Sequence, residues 1–186
     1  MSWTAVARSA DVLCGMAMPA CVQSTDLAIW RSHAGHVHAW GDRCPHRGMR
    51  LSHGFVRGET LACIYHGWQY DTVGSCVSIP AHPDLEPPKS ICATTYACAE
   101  QNGLIWVSLH ATDAPLPDYS DLTAVLSLAL AVPEGAVNVP DDLTVVIQPV
   151  TAATCMMHVL AAPDADLYAV ADRAETVRDT LERSAA

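Results

Sequence analysis

Phenylalanine occurs once in this chain of 186 residues, and charged side chains make up only 16% of it while hydrophobic ones make up 51%. So little charge on so apolar a chain excludes a disordered tail or a coiled coil, and the length suits one domain of ordinary size, with or without an appendage. No apolar run reaches the roughly 18 to 20 residues that would span a bilayer; the longest, Leu122 to Val132, falls far short, so no membrane partner is expected. The first residues also lack a secretory pattern, having Arg8 and then Asp11 with no apolar stretch of signal length. A reducing, cytoplasmic setting is therefore expected, with most of the eight cysteines reduced, buried or ligating rather than paired.

Positive charge is scarce, and it is unevenly placed. Ten basic residues against 20 acidic ones give a net charge of −10, which argues against nucleic acid as a partner. Up to His110 there are seven basic and eight acidic residues; from Ala111 onward there are three and twelve. All five tryptophans and Phe55 precede Ala111 as well. The segregation of large aromatics from acidic surface divides the chain into 1–110 and 111–186.

Helical periodicity is absent from the first region, where short β segments alternate with turn residues. Leu27 to Ser32 and His36 to Trp40 read as a hairpin around Ala34-Gly35. Leu61 to Ile64, Gly67 to Tyr70 and Cys76 to Ile79 continue the pattern, and Asn102-Gly103 separates Thr95 to Ala99 from Leu104 to Leu109. The proline-rich stretch Ala81 to Lys89 is irregular loop. Beyond Pro115 and Pro117, Leu122 to Val132 fits a helix or a strand equally. Thr144 to Val150 and Thr154 to Ala161 read as an antiparallel pair, and Asp164 as the N-cap of a helix with a stripe at Leu167, Val170, Ala174, Val177 and Leu181. That stripe offers apolar surface either to the first region or to another chain. The expectation is a mainly β protein: an antiparallel β-sandwich followed by a small α+β region.

The chemistry lies in Cys44-Pro45-His46-Arg47-Gly48 and Cys63-Ile64-Tyr65-His66-Gly67-Trp68, with sixteen residues between His46 and Cys63. Each loop supplies one thiolate and one imidazole, and the glycines permit tight turns. Tetrahedral zinc takes such donors, although zinc loops usually pair like residues. A two-iron, two-sulfide cluster with mixed ligation also fits, with two thiolates on one iron and two histidines on the other.

Together with Arg47-Gly48, Leu51-Ser52, Gly54, Asp71, Gly74 and Ile79-Pro80, these loops make Trp3 to about Leu109 resemble the Rieske domain of ring-hydroxylating and demethylating Rieske non-haem iron oxygenases. The resemblance implies a Rieske-type sandwich with a cluster-binding subdomain, and a 2Fe-2S cluster held by Cys44 and Cys63 on one iron and by His46 and His66 on the other. It implies that the added electron settles on the histidine-bound iron, which makes the imidazole edge the electron port. Met49 and Tyr65 stand where respiratory Rieske proteins carry a disulfide. Trp68 stands where they carry a serine that hydrogen-bonds the cluster, so a potential near the low end of the Rieske range is implied.

The family's oxygenases add a domain whose mononuclear iron needs two histidines and a carboxylate. After His110 only His158 remains, and Val145 to Val150 and Thr154 to Ala161 faintly resemble strands near the end of that domain, as in a remnant. Two functions follow from the resemblance. The chain is a redox component of an oxygenase system: either an oligomeric Rieske subunit passing electrons from a reductase or ferredoxin to a mononuclear iron on another chain, or a stand-alone Rieske ferredoxin. Arg43, Arg47 and Arg50 are read as loop supports or as a patch for an acidic partner. His33, His36 and His38 are read as solvent-facing, His53 as without a role, and Trp68 and Tyr70 as packing. Cys14, Cys21, Cys76, Cys92, Cys98 and Cys155 are read as buried thiols.

Overall fold

A computed structural model describes residues 3–185. Thirteen strands and one α-helix follow in chain order: β1 (Thr4–Arg8), β2 (Ala17–Val22), β3 (Thr25–Arg31), β4 (Val37–Gly41), β5 (Phe55–Arg57), β6 (Thr60–Ala62), β7 (Gln69–Asp71), β8 (Cys76–Ser78), β9 (Thr95–Gln101), β10 (Leu104–Ser108), β11 (Thr123–Leu130), β12 (Thr144–Pro149), β13 (Cys155–Ala161) and α1 (Leu167–Ala185). They form three antiparallel sheets, ordered β1-β10-β9-β4-β3-β2, β5-β6-β7-β8 and β11-β13-β12.

Alternation in the sequence explains the first sheet. Leu27, Ile29, Ala39, Ile105 and Val107 point to one face, which closes over Val6, Ala7 and Val22 from the two edge strands. Ala28, Trp30 and Trp40 point the other way and pack against Leu51, in the 3-10 turn Leu51–His53, and against Leu61 and Tyr70 of the small second sheet, with Cys44 and Cys63 in the same core. The aromatic-rich core thus lies directly beneath the ligand-like loops. Strands β1, β2 and β5 carry no clear sequence pattern; β2 contains Pro19, tolerated because it is an edge strand.

The run Leu122 to Val132 is a strand, β11. Its side chains have an apolar surface on each side: Leu128 and Leu130 join the core under α1, while Ala124 faces Trp106 and Leu160. The helix is capped by Asp166, not Asp164: the Asp166 Oδ1 accepts from the backbone N–H groups of Tyr168 at 3.0 Å and Ala169 at 3.2 Å. Val170, Ala174, Val177 and Leu181 cover the third sheet, but Leu167 is exposed and lies outside the stripe.

The third sheet turns its other face to the first. Val146 and Leu160 share a core with Ala5, Leu104 and Trp106. Backbone N–H groups of Gln23 and Ser24 donate to the carbonyls of Pro149 and Val150 at 2.9 and 2.8 Å. A buried polar chain completes the seam: Ser127 Oγ meets His158 Nδ1 at 2.8 Å, His158 Nε2 meets Gln148 Oε1 at 3.0 Å, and Gln148 Nε2 donates to the Cys21 carbonyl at 2.7 Å. The apolar surface of 111–186 is therefore spent largely within the chain.

Asn102 and Gly103, with φ of 53° and 69°, form the left-handed pair that turns β9 into β10. A Cβ on Gly103 would lie 2.4 Å from Thr123 Oγ1 and 3.1 Å from the Ala124 nitrogen. Gly103→Ala is expected to cost about 2 to 3 kcal/mol, combining the left-handed penalty with displacement of the segment entering β11. A denaturant titration reads this as a lower midpoint at unchanged slope. No helix among the described residues is long and apolar enough to cross a membrane.

Candidate metal centre

The two cysteine-histidine loops share one backbone design. Cys44 N–H donates to the Met49 carbonyl and Gly48 N–H to the Cys44 carbonyl, both at 2.8 Å; Cys63 N–H donates to the Trp68 carbonyl and Gly67 N–H to the Cys63 carbonyl, both at 2.9 Å. Gly48 and Gly67 stand at φ of 71° and 70°, the left-handed region that glycine enters without steric cost. Each loop thereby folds its cysteine inward and leaves its histidine toward the rim.

Cys44 and Cys63 are each 3% exposed and in the same core. The Cys63 thiol is pushed up by burial and by its neighbour Cys44, while the backbone at Tyr65 and His66 pulls it back down. Tyr70, fully buried on β7, brings its hydroxyl to 3.2 Å from the Cys44 sulfur. Sequence reasoning missed that role: the contact spans 26 positions, and nothing in the sequence marks it.

The imidazoles of His46 and His66 meet edge to face, with ring centroids 4.7 Å apart. Trp68 stacks on His46 at 4.1 Å and 5°, and Tyr65 lies against His66 at 3.8 Å. Partial desolvation, then the nearby His66 and Arg47, hold His46 below the ordinary histidine range, favouring the neutral ring that can ligate a metal. Among the described residues no three His, Cys, Asp or Glu side chains converge as on a single ion. Two neighbouring thiols and two neighbouring imidazoles form instead a two-plus-two donor set, as a pair of irons requires.

A second layer fixes the first loop. Buried Asp42 accepts from the Ser52 backbone N–H and hydroxyl, both at 2.7 Å, and from Arg50 at 3.3 Å. Arg50 also pairs with Asp26 at 2.9 Å, so this arginine clamps the loop and is not a free patch residue. Arg43 and Arg47 are exposed and form no ion pair among the described residues, although Arg43 lies across Gly48. Farther off, His33 and His36 face solvent as expected, and His53 is exposed too. His38 does not: it is half-buried and stacks on Trp30 at 4.3 Å. Cys76 and Cys155 are buried and Cys21 and Cys98 partly so, but Cys14 and Cys92 are exposed, and all eight thiols are free.

The family model for the Rieske [2Fe-2S] domain matches residues 2–96, about half of the chain and both loops. The chain belongs to the Rieske [2Fe-2S] domain family. Its Rieske domain binds a 2Fe-2S cluster, a cofactor that the paired thiols and imidazoles suit. Among curated relatives, the Rieske region is 40% identical over 108 residues to oxidoreductase NdmD of Pseudomonas putida, covering 58% of this chain and 18% of that one. It is 42% identical over 107 residues to the 4β-methylsterol monooxygenase of Methylococcus capsulatus, covering 55% and 28%. The chain thus spans less than a third of the length of these relatives.

Solved structures extend the likeness past the Rieske domain. Apo dicamba monooxygenase superposes with a TM-score of 0.82 at 16% identity, over 98% of this chain and 85% of that one. NdmA of Pseudomonas putida CBB5 gives 0.78 at 19% identity, over 97% and 80%. At such identities the likeness is one of fold, and it takes in the third sheet and α1.

Proposed function

We propose that this chain is the Rieske electron-transfer subunit of a multicomponent oxygenase, receiving electrons from a reductase or ferredoxin and serving a mononuclear iron on another chain in a reducing, cytoplasmic setting. The observation that carries the reading is the pair of equivalent loops, which bring two buried thiols together on one side and two imidazoles on the other. Cys44 and Cys63 would hold one iron, and His46 and His66 the other. When bound, the cluster accepts and passes on one electron at a time.

The protein groups then divide the work. Asp42 and Arg50 hold the first loop, Tyr70 offers a hydrogen bond to the Cys44 sulfur, and Trp68 and Tyr65 fix the imidazole planes at the rim. Exposed Ile64, Tyr65 and His66 give that rim an accessible surface for a partner. The fold likeness over 97 to 98% of the chain supports the subunit reading over a stand-alone ferredoxin, because region 111–186 then belongs to an oxygenase architecture. In this reading 1–110 is the Rieske unit and 111–186 its acidic companion, a division that the segregation of aromatic from acidic residues supports.

Purified chain is expected to contain two irons and two acid-labile sulfides, to give a rhombic electron-paramagnetic signal on reduction, and to form product only when an oxygenase subunit carrying mononuclear iron is added. Product from the reduced chain alone under oxygen would refute the subunit reading. One zinc and no sulfide would refute the ligand assignment.

Tyr70→Phe should lower the midpoint potential. The phenol stabilises the more negative, reduced state, so losing a hydrogen bond to a charged sulfur, about 1.5 kcal/mol, shifts a one-electron couple down by about 60 mV. A redox titration followed by the paramagnetic signal measures this.

A further inference from the structure

Two cationic side chains remain unassigned beside the centre. Arg43 and Arg47 flank a depression of about 430 Å³ that is also lined by Cys44, Pro45, Thr94 and the exposed Cys92. None of its lining residues comes from the second loop, 63–68, so it opens on a different flank from the exposed Ile64-Tyr65-His66 rim.

We propose that this depression is the docking site of an acidic electron-donor protein, which approaches on the Cys44 flank and leaves the imidazole rim to the acceptor. The inference rests on the reading of Cys44 as a cluster ligand and adds a separate entry surface to it.

Charge selects both the place and the partner. In a chain of net charge −10 an acidic protein is repelled almost everywhere, and region 111–186, with three basic and twelve acidic residues, repels it most. Of the three arginines around the first loop, Arg50 is neutralised by Asp26 and Asp42, while Arg43 and Arg47 have no acidic partner among the described residues. A local positive spot on a negative body orients an approaching negative surface as well as attracting it, which raises the on-rate for that one face. Position fits the purpose, since buried Cys44 itself lines the depression. A carboxylate seated between the arginines therefore brings a donor close to the thiolate side. Docking makes and breaks no bond; the reduced donor supplies one electron and is itself oxidised.

The test uses full-length, cluster-loaded chain and a reduced plant-type [2Fe-2S] ferredoxin of strongly negative charge as the donor, with reduction followed by stopped flow. The double variant Arg43→Glu, Arg47→Glu should be reduced about tenfold more slowly at low ionic strength, with the gap closing as salt shortens the screening length to about 3 Å near 1 M. Arg57→Glu, half that charge change and placed on exposed β5, should leave the rate unchanged, and a cationic viologen radical should reduce the double variant at least as fast as the unsubstituted chain.

An independent footprint needs no electron transfer. Oxidised ferredoxin should slow iodoacetamide alkylation of Cys92 at low salt and leave the other exposed thiol, Cys14, untouched. Equal slowing by Arg57→Glu, an unprotected Cys92, or failure of the ferredoxin to reduce the unsubstituted chain would each overturn the docking proposal. A double variant without the rhombic signal would count against the loop geometry and the ligand reading instead. An independent charge-neutral pair, Arg43→Gln and Arg47→Gln, then carries the kinetic test, with an intermediate slowing expected and an unchanged rate overturning the proposal.

Discussion

Cys44→Ser and Cys63→Ser are each expected to yield protein without bound iron or sulfide and without the rhombic signal, whereas His33→Ala and His53→Ala keep both in full. The loss is essentially complete, because a position only 3% exposed gives water little access to replace the missing sulfur. Serine keeps the size of the site but supplies a hard oxygen that is protonated at neutral pH, a poor substitute for thiolate on iron. The loop hydrogen bonds at Cys44 and Cys63 are made by the backbone, so the substituted chain should still fold, with lower stability from the lost metal binding energy. Metal and sulfide analysis, set beside a circular-dichroism spectrum, separates loss of the cluster from loss of the fold.

The second large effect is on stability in mild acid. His158 is 1% exposed, and burial holds its pKa down to about 4 against the Ala5 carbonyl, which would favour the charged ring. Because the folded pKa lies below the unfolded value of 6.5, the unfolded chain binds more protons in between. Stability is therefore fully present above pH 6.5 and is lost as the pH falls toward 4. The total is about 3 kcal/mol, of which about 2 kcal/mol should vanish between pH 7.5 and pH 5. His158→Gln should be less stable than the unsubstituted chain at pH 7.5, with a difference that shrinks by about that amount at pH 5. A constant difference across this range would show that the ring does not stay neutral in the seam.

What could be read from the residues alone followed from local pattern. The β3–β4 hairpin, the β9–β10 turn and the β12–β13 pair each combine alternation with a turn dipeptide or a short connection, and each forms as expected. The loops were legible because ligation demands particular residues at short spacing. Long-range side-chain chemistry was not. Arg50 joins Asp26, 24 positions away, and Tyr70 joins Cys44; no periodicity announces either. The strand β11 was ambiguous since a run apolar on both sides suits a strand buried on two faces as well as a helix. The exposed Cys92 follows from the irregular proline-rich approach, where backbone pattern predicts no face at all.

The seam between the first and third sheets also orders events in time. Strand β1 pairs with β10, about a hundred residues downstream, and the β2–β3 turn waits for Pro149 and Val150 before its backbone donors are met. Contacts of such sequence separation carry a loop-closure cost before they return any stability, and they set the pace of folding. On a growing chain the face of the first sheet that carries Ala5, Leu104 and Trp106 therefore remains uncovered until the segment carrying His158 has been made. The ligand loops are closed by bonds within a few residues and can take shape far earlier. Cluster insertion and final closure of the body are thus separable steps, and a delay between them is a window in which the edges of β1 and β2 stand open to another chain.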